Sequence, residues 1–272
     1  MKKKTPPAVK LLPALFLAAL AAAAPARISA GGAEDLFGGP FSGLPPVLTQ
    51  TVPASPAEEA PQAGIFDAPQ EKIYYLAPWQ VELDAVPPAP AAGSGVDNED
   101  LAALKRWQAV RTEAQCAAAN AQPDATYDNF FGAISPFGES APKEVEKIFF
   151  KVRADTASMV FLLKRKYERP RPFLRDPALV PCLDREGGYA YPSGHSAVAR
   201  VFGLMLSELV PANSPKYISY ADQAALNRVI GGVHHPSDTV AGKKLGDAVY
   251  EALTRDRAFK ADMDTLRGNL KP

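Results

Sequence analysis

The segment PKEVEKIFFKVRADTASMVFLLKR, residues 142–165, places Val145, Ile148, Phe149, Val152, Thr156, Met159, Val160 and Leu163 three or four positions apart. Side chains at that spacing share one face of an α-helix, and a single apolar stripe demands cover from other elements. The segment therefore predicts an amphipathic helix from about Pro142 to Arg165, with partners to be sought at the same period. Asp97 reads as an N-cap before Leu101, Leu104, Trp107 and Val110, and a helix carrying Val198, Phe202, Leu206 and Leu209 follows His195. Further helices are expected around Pro215 to Ile230, Pro236 to Leu253 and Asp256 to Leu270. No useful strand-like alternation and no internal repeat is evident. The expected fold is all-α, a single compact helical domain over residues 96–272, large enough to bury a core.

The N-terminal third reads differently. Three lysines after Met1, an apolar run from Leu11 to Ala24 and the small residues around Ile28-Ser29-Ala30 have the order of a secretory signal peptide, expected over residues 1–30. That run is shorter than the ~20 residues a membrane-spanning helix needs, so cleavage and a periplasmic or secreted destination are expected, with no stable membrane span. Residues 31–95 read as a Pro/Gly/Ala-rich extended arm, because eleven prolines lie between Gly31 and Pro90 and no period is sustained. Within it the patch Ile73, Tyr74, Tyr75, Leu76 and Trp79 is expected to dock on the body, and Gly38 to Pro69 to be mobile.

The whole chain carries 30 basic and 30 acidic side chains, but five of the basic ones fall in residues 1–30, where no acidic residue stands. A mature chain with excess acid offers no general attraction for a nucleic acid polymer. The only two cysteines, Cys116 and Cys182, are able to pair in an oxidising compartment, and two separate buried thiols fit the sequence equally. Neither their spacing nor their neighbours suggest a metal site, and no cofactor is expected.

All three histidines, His195, His234 and His235, fall in two short segments, PSGH at residues 192–195 and NRVIGGVHHPSD at residues 227–238. Histidine titrates nearest neutrality, so this confinement points to proton transfer or nucleophilic chemistry. A third segment, KRKYERPRP at residues 164–172, adds Lys164 and Arg171. With Arg228 these make three cations, two of them planar forks suited to the equatorial oxygens of a phosphoryl group. Ser193 is a candidate N-cap, so the amides after it would open a helix N-terminus to an anion, with Gly194 permitting close approach. Asp238 is placed to accept a hydrogen bond from one imidazole nitrogen of His234 and leave the other as a nucleophile. His235 adjoins it and reads as a partly exposed neighbour.

Together these segments resemble the signature K-x6-RP, PSGH, SR-x5-H-x3-D of the type 2 phosphatidic acid phosphatase superfamily, shared by bacterial class A non-specific acid phosphatases, lipid phosphatases and vanadium haloperoxidases. Every fixed position matches except Asn227, where the family usually has serine. Weaker similarity to the class A branch lies in Tyr74-Tyr75-Leu76, in Arg111-Thr112-Glu113 of the first core helix, and in Val210 to Asn213. The resemblance implies the acid phosphatase/vanadium haloperoxidase type of helical fold. It implies an exported, metal-independent acid phosphatase acting on small phosphate monoesters, with phosphotransferase activity as a side reaction. It further implies that His234 forms a phosphohistidine and that His195 protonates the leaving group. Lys164, Arg171, Ser193, Gly194 and Arg228 would bind the phosphate, and free phosphate or vanadate would inhibit. A lipid phosphate or pyrophosphate phosphatase, a haloperoxidase and a non-catalytic phosphate-binding protein are the alternatives. A homo-oligomer using the arm is compatible with the enzyme reading. Unperturbed histidines would set a pH optimum of about 5 to 7.

Overall fold

The computed structural model describes residues 65–70 and 72–271. The expected signal peptide and most of the expected arm lie outside the described residues. Within them every regular element is helical and no strand occurs, so the all-α expectation holds.

Nine α-helices are present among the described residues: α1 Gly95–Val110, α2 Glu113–Asn120, α3 Tyr127–Phe131, α4 Lys143–Tyr167, α5 Pro172–Arg175, α6 Gly194–Leu209, α7 Ser214–Ile230, α8 Pro236–Leu253 and α9 Arg257–Gly268. The long amphipathic segment forms α4, and its stripe from Val145 to Leu163 is buried as the spacing requires. Helix α6 occupies the centre, packed chiefly on α7 and α8, and Val198, Val201, Phe202, Met205 and Leu206 are fully buried along it. Phe149 of α4 meets Phe202 of α6 edge to face, with ring centroids 4.9 Å apart. A close helix crossing requires a small residue, and Gly242 of α8 supplies it: a Cβ there would stand 2.4 Å from the Ser193 carbonyl oxygen.

Several boundaries differ from expectation for physical reasons. Ser94, not Asp97, caps α1 by accepting from the Asp97 amide at 3.3 Å, because an acidic residue in the first turn is favoured as a helical residue as well as a cap. Helices α2 and α3 escaped the periodicity reading because they are too short to show one. Arg111-Thr112-Glu113 lies at the junction of α1 and α2, where Thr112 and Gln115 form a capping box.

Docking of the arm is also less apolar than the patch suggested. Tyr75 and Leu76 are buried, but Trp79 is 83% and Ile73 49% exposed. Instead, buried Asp155 of α4 accepts the backbone amides of Tyr74, Tyr75 and Leu76 at 2.9, 2.7 and 2.9 Å. Three consecutive amides on one carboxylate fix a bent segment of backbone that has no helix or sheet partner of its own. Of the stretch Gly38 to Pro69 expected to be mobile, only residues 65–69 lie among the described residues, and there Phe66 is buried in the main core cluster. Cys116 of α2 and Cys182 are joined by a disulfide, which settles the open alternative in favour of pairing.

Candidate active site

The three motif segments meet where α4 ends, α6 begins and the α7–α8 turn passes. Backbone bonds weld the latter two: the Ser193 amide donates to the Asp238 carbonyl at 3.0 Å. Lys164, Arg171, Ser193, Gly194, His195, Arg228, His234 and Asp238 are all buried, although long charged side chains ordinarily are not.

Ser193 caps α6 as its position suggested, accepting from the Ser196 amide at 3.4 Å and the Ser196 hydroxyl at 2.9 Å. What approaches Gly194 closely is Phe66 of the arm, whose ring would lie 2.5 Å from an added Cβ. Phe66 and Phe130 each meet the His195 ring edge to face, at 5.8 and 6.0 Å between centroids. This apolar enclosure, then Arg228, pushes His195 down to about 3. His195 Nε2 lies 3.2 Å from the Pro123 carbonyl oxygen, an acceptor only, so Nε2 carries the proton of the neutral ring. Its Nδ1 is buried without a partner among the described residues.

His234 shows the opposite arrangement. Arg171 Nη1 stands 2.8 Å from His234 Nε2, and a guanidinium only donates, so Nε2 presents its lone pair and the proton resides on Nδ1. Burial, then Arg171, pushes this ring also to about 3. The expected hydrogen bond to Asp238 is not formed: His234 Nδ1 stands 3.5 Å from Oδ2 and has no hydrogen-bond partner among the described residues. Oδ2 instead accepts from the His235 amide at 2.7 Å and from His235 Nδ1 at 2.9 Å. His235 is therefore no partly exposed neighbour. It is fully buried and N-caps α8, a position that forces its amide toward the carboxylate three residues on.

The cations are already paired with the chain's own carboxylates. Glu186, in the loop between α5 and α6, is shared by Arg171 at 2.8 Å and by Arg228 at shorter range. Burial would raise its pKa, but Arg228 and then Arg171 hold it well below the usual carboxylate range. Lys164 meets Asp67 at 2.8 Å. Burial, then Arg171, pushes Lys164 down to about 8, with Asp67 and Glu186 opposing.

The sequence reading missed Glu186, Asp67 and Arg169. Arg169 lies two residues before Arg171 and binds Asp238 Oδ1 at 2.6 Å. Asn227, the departure from the signature, donates to Gln122 at 2.9 Å and accepts from Gln223 at 2.8 Å. Its amide thus secures the loop whose next residue, Pro123, holds His195. Among the described residues no group of three or more His, Cys, Asp or Glu is arranged to hold a metal ion.

Comparison with known proteins agrees with this geometry. The PAP2 superfamily model matches residues 150–258, which contain all three motifs. A non-specific acid phosphatase of Providencia stuartii is 27% identical over 210 residues, covering 72% of this chain and 84% of that protein. A lipid A 1-phosphatase of Rhizobium johnstonii is 33% identical over 97 residues, 34% of this chain and 39% of that protein. Among solved structures, a bacterial vanadium-dependent iodoperoxidase shares the fold with a TM-score of 0.51 at 17% identity, over 65% of this chain and 53% of that one. Residues 150–258 thus match the PAP2 superfamily, and the chain is similar over most of its length to a bacterial non-specific acid phosphatase.

Proposed function

We propose that the protein is an exported acid phosphatase that hydrolyses phosphate monoesters through a phosphohistidine on His234. The observation that carries this reading is Arg171 Nη1 standing 2.8 Å from His234 Nε2, with Arg171 linked through Glu186 to Arg228. A nucleophile with its lone pair held against an arginine is placed where an anionic phosphoryl group would be drawn in.

His234 Nε2 attacks phosphorus as the bond to the leaving oxygen breaks, and that oxygen takes a proton from His195. Water then attacks the phosphohistidine, His195 accepts its proton, the P–N bond breaks, and phosphate leaves with His234 neutral again. Neutral in the protein alone, His195 gains proton affinity when a phosphate anion lies beside it. The three cations meet the charge on the equatorial oxygens, so no divalent metal is required for this chemistry.

A panel of alkyl, aryl and nucleotide monophosphates, pyrophosphate and phosphatidate, with wild type and the His234→Ala variant, tests the reading. Turnover of monoesters by wild type alone, undiminished by chelation, is the expected result. Turnover of phosphatidate alone would assign the site to lipids, in line with the name of the Rhizobium relative. Tight phosphate binding without turnover would make it a capture protein.

A further inference from the structure

We propose that Arg169 is a positioning residue that sets the orientation and charge of Asp238, and through it the tautomer of His234. This rests on His234 being the nucleophile. Arg169 directly follows Glu168, whose φ of 46° ends α4, and it is 4% exposed. Its Nη1 donates to Asp238 Oδ1 at 2.6 Å and to Ser237 Oγ at 2.7 Å. Its Nη2 donates to Asp97 Oδ1 at 2.9 Å and Asp100 Oδ2 at 2.8 Å. Asp97 and Asp100 are one turn apart on α1, so the first core helix fixes one side of the guanidinium and leaves the other for the nucleophile's carboxylate.

The consequence is a division of labour between the two Asp238 oxygens. With Oδ1 held by Arg169, Oδ2 is directed to the histidines, where it accepts from His235 and faces His234 Nδ1. Three carboxylates, Asp97, Asp100 and Asp238, converge on Arg169, and Arg175 offsets part of their charge through Asp97. Isolated buried pairs of this kind seldom add stability, because desolvation cancels attraction. Fixed geometry is what such a network supplies. Without it the Asp238 carboxylate is free to rotate toward His235 alone. His234 Nδ1–H then loses the carboxylate 3.5 Å away, and the preference for an unprotonated Nε2 rests on Arg171 alone and weakens.

Arg169→Ala would leave Asp100 without its cation in the interior and Asp97 with Arg175 alone, so the informative variant is Arg169→Lys, which keeps the charge but not the fork. Steady-state kinetics on phenyl phosphate should show kcat about 10- to 100-fold lower with KM changed less than about threefold. The double variant Arg169→Lys/Asp238→Asn should be no slower than Asp238→Asn alone, since a residue acting through Asp238 has nothing further to lose. The 15N chemical shifts of His234 should move from the pattern of an unprotonated Nε2 toward a mixture. Wild-type kcat in Arg169→Lys, additive losses in the double variant, or an unchanged His234 tautomer would each overturn the proposal. Absence of turnover by the wild type would instead remove the phosphatase reading, and the nitrogen shifts would still decide the role of Arg169.

Discussion

Arg171 Nη1 and His234 Nε2 lie 2.8 Å apart, so the proposed nucleophile is held with its lone pair toward the guanidinium that would bind the phosphate. The same guanidinium donates to the Val233 and Gly187 carbonyls at 3.1 and 3.2 Å, which locks its plane. Arg171→Lys keeps the charge but cannot span these partners, and kcat/KM on a phosphate monoester is expected to fall about 10²- to 10³-fold. His234→Ala should abolish turnover and any acid-labile phosphoprotein recovered by rapid quench.

With His195 and His234 both pushed to about 3, the two rings are neutral at mildly acidic pH. The pH dependence expected from unperturbed histidines is thereby displaced. Proton and phosphate must enter together, so kcat/KM should be greatest below the second pKa of a phosphate monoester, ~6, and decline above it. A further loss is expected near 8, where Lys164 gives up its charge. Neither imidazole should titrate between pH 5 and 8 in NMR of the protein alone, and saturating phosphate should raise the His195 midpoint. A histidine midpoint near 6.5 without phosphate would contradict the burial argument.

Glu186 engages both Arg171 and Arg228, the groups a phosphate would use. Glu186→Gln removes a like charge from the substrate's approach, and the inhibition constant for inorganic phosphate should fall about tenfold, with KM falling alongside it. Weaker inhibition would show that the carboxylate holds the arginines in place rather than competing with the anion.

At Gly242 an alanine would drive a methyl group into the Ser193 carbonyl and the Ser196 Cβ, at 2.4 and 2.8 Å. Helix α8 would have to withdraw from the PSGH turn, costing about 1–3 kcal/mol and misplacing Asp238 relative to Ser193. Thermal unfolding and kcat should fall together in Gly242→Ala, and a loss in one alone would break the connection.

The Cys116–Cys182 bond closes a loop with a sequence separation of 66 and ties α2 to the segment that carries Glu186. Loop-closure entropy sets its contribution at about 2–4 kcal/mol, so Cys116→Ser should lower Tm by about 5–15 °C. The same loss is expected in wild type under reducing conditions.

Parts of this architecture were open to reading from the residues alone. Helix α4 declared itself because its stripe repeats over many turns, and α8 began at Pro236 because proline suits a first helical position. Helix α2 left a readable signal in the Thr112–Gln115 capping box that periodicity overlooked. Arg169 and Glu186 left none, since a charged residue in a loop is ordinarily solvated and only burial reveals otherwise.

By itself the sequence determined the helical class, and it singled out the three cations, the two histidines proposed to act and the spacing that unites them. These depend on local periodicity and on residue chemistry. Tertiary structure alone decided that Arg169 rather than solvent holds Asp238, that His235 rather than His234 takes the shorter bond, and that Phe66 and Phe130 enclose His195. Such facts depend on which groups lose water on folding, and that is a property of contacts between segments far apart in the chain.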